Sequence, residues 1–113
     1  MGQEGLQLLK GTLDFLVLKA LAANTELHGF EVLDWILHAS DQELTVEEGA
    51  LYPALHRMEK RGLLEADWGI SDKGRRAKYY RLTRVGREAL VTQQDTWDRY
   101  VAAVARLGTH GSP

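Results

Sequence analysis

Hydrophobic positions near the start of the chain recur at helical spacing. Leu6, Leu9, Leu13, Leu16 and Ala20 form one stripe, while Phe15, Val17, Leu18 and Leu21 make the other side of the same stretch apolar too. A helix apolar on more than one side needs cover on more than one side. One face is therefore expected to meet the core and another a partner subunit; the alternative is a single buried central helix. Ala22 to Leu27, with Asn24 and Thr25, reads as a connection. His28-Gly29-Phe30 then opens a second helix to about Ala39, with Phe30, Leu33 and Leu37 on its buried side and Trp35 and Ile36 beside them. Its first turn can offer unpaired backbone amides to a phosphate.

From Thr45 the signals sharpen. Thr45 and Glu48 have the spacing of a capping box, and Pro53 implies either a separate turn before a helix from about Ala50 or a kink. Leu51, Leu55 and Met58 fall at i, i+4 and i+7 and should face the core, which leaves Tyr52, His56 and Lys60 on the opposite stripe, flanked by Pro53 and Arg57. Gly62 suits the left-handed cap of that helix. Beyond it the period changes to two: Leu64, Ala66 and Trp68 alternate with Glu65 and Asp67, as a half-buried strand requires. Gly69 to Arg76 is polar, with Lys73-Gly74-Arg75-Arg76 at its tip, and Ala77 to Thr83 resumes the alternation with Tyr80 and Leu82 inward, Tyr79 and Arg81 outward.

Thr83 can cap a last helix to about Leu107. Along it Leu90, Trp97 and Val104 are heptad-spaced, as are Gln93, Tyr100 and Leu107. Helix, strand, basic loop and strand in this order suit a winged-helix module, in which a helix enters a DNA groove and the hairpin touches the backbone. The predicted fold is mainly α with a small β-hairpin. A winged helix-turn-helix with its N-terminal helix spans 1–83, a dimerisation helix 84–107, and a disordered tail 108–113.

Composition narrows the function. At 113 residues and 44% hydrophobic, the chain holds one small domain with its own core, without room for a separate sensor domain. The absence of cysteine excludes disulfides, thiolate zinc sites and thiol nucleophiles. His28, His38 and His110 are scattered, so no metal site and no cofactor are expected. Gln3, Glu4 and Lys10 interrupt the early leucines, unlike a signal peptide, and no apolar run is long enough for a membrane span. A cytoplasmic, nucleoid-associated protein is expected. No nucleophile with a base, no paired carboxylates and no phosphate-binding glycine loop point to an enzyme. The net charge of −2 conceals a segregation: Arg57 to Arg87 holds ten Lys/Arg against four Asp/Glu, and the remainder four against twelve. A basic patch of this kind binds phosphate.

These residues carry a family resemblance. GALYPALHRMEKRGLLEADW followed by KYYRLTRVGREAL, with KGTLDFLVLKAL and HGFEV upstream, resembles the PadR family of bacterial winged-helix transcription regulators, from about Leu9 to Leu107. Phe30 stands where tyrosine is common in that family, and Met58 where leucine is common. The resemblance implies a homodimer that represses by binding a palindromic operator, released in some members by small aromatic compounds. Its short subfamily has a single C-terminal helix, as here.

On this reading Tyr52, Pro53, His56, Arg57, Lys60, Lys73, Arg75, Arg76 and Lys78 contact double-stranded DNA. Leu9, Leu13, Leu16, Leu90, Trp97, Tyr100, Val104 and Leu107 form the dimer seam. Phe15, Trp97 and Tyr100 are candidates to stack on an aromatic effector, although aromatics at helical spacing are more often core. The competing reading is a winged-helix module that holds a protein partner. Against it stand the charge segregation and the consecutive basic residues at the wing tip, which a protein-facing wing does not need.

Overall fold

A computed structural model describes residues 5–108; residues 1–4, His110 and the rest of the expected disordered tail from 109 onward lie outside the described residues. The chain runs α1 (Leu13–Ala23), β1 (Leu27–His28), α2 (Gly29–Ala39), α3 (Glu48–Lys60), β2 (Leu64–Ile70), β3 (Arg76–Leu82) and α4 (Arg84–Arg106). β2 and β3 form an antiparallel hairpin, and β1 adds to the other edge of β3 through Leu27 opposite Tyr80 and His28 opposite Tyr79. The result is the helical domain with a small hairpin that the pattern predicts. The strand β1 lies in what reads from sequence as a connection.

The first helix begins at Leu13 rather than Leu6. Gly11 adopts a left-handed φ of 85°, and the Thr12 amide and hydroxyl both donate to the Leu9 carbonyl, at 3.1 and 2.7 Å. Upstream, Leu6 forms a parallel bridge with Leu44 and its amide donates to the Glu43 carbonyl at 2.7 Å. Leu6 and Leu9 are thus not helical, and both are exposed. The helical part of the stripe is Leu13, Leu16 and Ala20.

α1 is the centre of the protomer. Val17 and Leu18 pack with Val32 and Ile36 of α2, with Leu51, Leu55 and Met58 of α3, and with Tyr80 and Leu82 of β3. Each fully buried leucine contributes roughly 1.5–3 kcal/mol. The opposite side of α1 is covered within the protomer by α4, where Phe15 meets Trp97 at a centroid distance of 6.1 Å. Leu13 and Leu16 remain half-buried.

Three expectations need correction. α2 buries Gly29, Val32 and Ile36 instead of a stripe led by Phe30, which is 58% exposed; both stripes are apolar, and the packing chose the one rotated by a residue. α3 is capped at Glu47 without a side-chain bond, so Thr45 makes no capping box; buried Val46 anchors an extended approach, and Glu47 keeps φ −83°, ψ 143°. Pro53 consequently lies in the second turn of a helix that starts at Glu48. Its missing amide costs only the bond to the carbonyl of Gly49, a residue exposed to water. Trp68, read as inward, is 58% exposed because β2 runs past the edge of the core.

A glycine-threonine joint fixes α4 to the hairpin. The Thr83 hydroxyl accepts from the Gly86 amide at 3.0 Å, as its predicted cap role requires, and donates toward the Gly62 carbonyl at 2.6 Å. A side chain at Gly86 would meet the Leu63 carbonyl oxygen at 2.1 Å, so only glycine allows this approach. Gly62 itself has φ 80°.

Candidate nucleic-acid interface

The amphipathic pattern of α3 resolves as expected. Leu51, Ala54, Leu55 and Met58 are buried, and Tyr52, Pro53, His56, Arg57 and Lys60 are exposed. Tyr52 lies against the first turn of α2: a β-carbon at Gly29 would come within 2.5 Å of its ring. Glycine at that position is therefore what lets the tyrosine lie there. Partial burial, then the Glu48 carboxylate and Tyr80, raise the Tyr52 pKa, so the phenol keeps its proton and remains a hydrogen-bond donor. The start of α2 is less open than the sequence suggests. His28 Nδ1 accepts from the Glu31 amide at 3.3 Å and Glu31 Oε1 accepts from the His28 amide at 3.1 Å, a reciprocal cap that uses one of the amides a phosphate would seek.

Beside α3, the hairpin turns through Ser71 to Arg75. The Ser71 amide donates to the Arg75 carbonyl at 2.7 Å, the Gly74 amide donates to the Ser71 carbonyl at 2.8 Å, and Gly74 takes φ 77°. This closed turn holds Lys73 and Arg75 out in water, with Arg76 following as the first residue of β3. Among the described residues none of these three forms an ion pair. Arg76 instead lies over the ring of Trp68, 4.4 Å from its centroid.

Two of the predicted DNA contacts are committed elsewhere in the protomer. Arg57 donates to Asp14 at 2.8 Å and ties α3 to α1. Lys78 donates to Glu59 at 2.9 Å, a bond that raises its pKa and ties β3 to α3. Arg81 is held on the other face of the hairpin by Glu65 at 3.1 Å, Asp67 at 2.9 Å and Glu26 at 4.0 Å.

The residues assigned to the seam and to an effector lie in α1, in α4 and in the segment before α1, with Leu107 at the C-terminal cap of α4. Phe15, Trp97 and Tyr100 form a continuous aromatic row, with Trp97 and Tyr100 stacked at 6.3 Å and 28°. They line an open groove of about 530 Å³ together with Leu9 and Thr12. Among the described residues nothing covers the outer part of α4: Tyr100, Val104 and Leu107 are exposed, the last at 84%, whereas Leu90 and Trp97 are half-buried.

Sequence reasoning missed the exposure of Trp68 and Phe30 and the close approach of Tyr52 to Gly29. Alternation placed Trp68 on the correct face of its strand without showing where the core beneath ends. Gly29 carried no signal, because its role depends on a ring that comes from another helix. No helix among the described residues is long and apolar enough to cross a membrane.

Comparison with known proteins agrees with this geometry. The profile of the transcriptional regulator PadR-like family matches residues 17–92. A transcriptional regulator of Mycobacterium tuberculosis is 41% identical over 70 residues, 61% of either chain, and an uncharacterised protein of Lysinibacillus sphaericus is 32% identical over 91 residues, 80% of this chain and 82% of that one. Among solved structures, a PadR-like transcriptional regulator from Bacillus cereus superposes with a TM-score of 0.73 at 31% identity, covering 87% of this chain and 92% of that one. A transcriptional regulator from Clostridium thermocellum gives 0.78 at 25% identity, covering 88% and 96%. The named relatives from Mycobacterium tuberculosis, Bacillus cereus and Clostridium thermocellum are transcriptional regulators, and the chain belongs to the PadR-like family of transcriptional regulators.

Proposed function

We propose that this regulator is a homodimeric repressor that binds a palindromic operator in double-stranded DNA, working in the cytoplasm at the nucleoid. Each α3 enters a major groove with Tyr52, His56 and Lys60, and each hairpin tip grips the adjoining backbone with Lys73, Arg75 and Arg76. The observation that carries this reading is the pairing of an exposed polar stripe on α3 with a tip whose cations have no acid partner among the described residues. Phosphate contacts of this kind supply affinity and register, while groove contacts supply sequence choice. Two-fold symmetry places the half-sites about one helical turn, roughly 34 Å, apart.

The exposed Tyr100, Val104 and Leu107 support a dimer seam along the outer half of α4, continued by Leu9. At that seam the Phe15–Trp97–Tyr100 row would take a planar aromatic effector by stacking. Selection of bound genomic fragments followed by anisotropy titration on the best fragment tests the DNA reading. A palindromic consensus is expected, and binding indifferent to sequence and salt would remove it. Sedimentation of Val104→Asp/Leu107→Asp tests the seam, with a shift to monomer expected. An unchanged dimer would place the interface elsewhere.

A further inference from the structure

We infer that Trp68 is a positioning residue for DNA binding: its indole is a platform that holds the Arg76 guanidinium ready to meet a phosphate. The inference rests on the proposed role of the hairpin tip in gripping the backbone, and it assigns that task a residue outside the basic set.

Cross-strand register gives the argument its start. On one face of the hairpin the paired positions are Leu64 with Leu82, Ala66 with Tyr80, Trp68 with Lys78, and Ile70 with Arg76. The face begins in the core and leaves it: Leu64, Leu82 and Tyr80 are buried, Ala66 is half-buried, and Trp68 is 58% exposed. Trp68 thus contributes little to core packing. The residue directly opposite, Lys78, is drawn to Glu59 at 2.9 Å and leaves the indole face open. Arg76, the diagonal neighbour, fills it at 4.4 Å from the ring centroid. Diagonal pairs on a sheet face are within reach of long side chains, and a guanidinium over tryptophan is the favoured cation–π geometry.

Arg76 forms no ion pair among the described residues, so the indole is the partner that restricts it. Stacking leaves the guanidinium edge and its donors free, whereas a carboxylate would consume them. An arginine ordered before binding loses less freedom when it meets a phosphate. Lys73 and Arg75 have no such support and must be ordered at the moment of binding.

A double-mutant cycle on a mixed-sequence duplex of about 30 base pairs at about 0.1 M salt tests this without knowledge of the operator, because phosphate contacts are independent of sequence. Arg76→Ala is expected to weaken binding about eightfold for each subunit, roughly 60-fold for the dimer, by loss of one counterion-releasing contact per subunit. Trp68→Ala is expected to weaken it about two- to threefold for each subunit, about four- to ninefold for the dimer, the size of an exposed cation–π contact in each. The double variant is expected to match Arg76→Ala alone, and Trp68→Phe to recover most of the loss. In the free protein, the Arg76 Nε–H resonance is expected upfield in the wild type and at its ordinary position in Trp68→Leu. Losses that multiply in the double variant, or an Arg76 resonance indifferent to Trp68, would overturn the platform while leaving the DNA reading intact. Absence of salt-dependent duplex binding by the wild type would overturn both.

Discussion

The base and the tip of the β2–β3 hairpin both carry basic residues, two at the base and three at the tip, and are electrostatically opposite. At the base, Arg81 is enclosed by Glu65, Asp67 and Glu26, and Lys78 is bonded to Glu59. At the tip, Lys73, Arg75 and Arg76 have no ion-pair partner among the described residues. Register produces the difference. Glu65 pairs directly with Arg81, Asp67 follows on the same face, and past Ile70 the chain supplies only Asp72 against three cations. A count of charges treats all these residues alike. The fold uses some to hold strands and helices together and leaves others without an acid partner among the described residues.

The largest test of this contrast removes the tip. Arg75→Ala/Arg76→Ala is expected to weaken duplex binding roughly 30-fold for each subunit at about 0.15 M salt, about 10^3-fold for the dimer, from the loss of two counterion-releasing contacts per subunit, and to reduce the salt slope by about four. Anisotropy titrations at several salt concentrations measure both quantities, and melting should be unchanged because both side chains are exposed. A slope equal to that of the wild type would mean that the tip does not touch phosphate.

Much of this architecture was legible in the sequence, for physical reasons that also mark where legibility ends. The buried face of α3, the hairpin and the Thr83 cap follow from local periodicity and cap chemistry, and each is where the pattern predicts. The start of α1 was not legible, because Leu6 is held by Leu44, a distant residue, and the turn at Gly11 interrupts an otherwise helical stripe. α2 slipped by one residue in the reading because two adjacent stripes are both apolar. Within the interface, the tip and the exposed stripe of α3 were readable. The commitments of Arg57 to Asp14, 43 residues away, and of Lys78 to Glu59, 19 away, were not. Long-range pairs of this kind depend on how elements pack, which no local pattern records.

A smaller effect is expected at the base. Arg81→Met keeps the length of the side chain and removes the charge, leaving Glu65, Asp67 and Glu26 facing one another. The melting temperature should fall by a few degrees, since an exposed network is partly screened by solvent. The salt slope of DNA binding should stay within about half a unit of the wild type, because a cation already neutralised by carboxylates releases few counterions. A slope lower by about two, one unit per subunit, would show that Arg81 leaves its acids for a phosphate, and the division between base and tip would fail.

The smallest effect concerns alkaline pH, and its sign follows from the groups around Lys78. The hydrogen bond that Lys78 donates to Glu59 raises the Lys78 pKa, and burial raises those of Tyr80 and Tyr52. In each case the folded state holds its proton more tightly than the unfolded chain. The resulting stability is fully present below the ordinary lysine and tyrosine range, about pH 10, and is lost as pH rises through the folded-state values. Thermal melts from about pH 8 to about pH 11 should therefore show a shallow decline confined to the upper end of the range. Lys78→Met should start from a lower melting temperature and decline less steeply, because one of the three linked protons is gone. Lys73→Ala, at the tip, should leave the alkaline limb unaltered. If the two variants changed that limb equally, Lys78 would be no more committed to the fold than Lys73, and the base would be chemically indistinguishable from the tip.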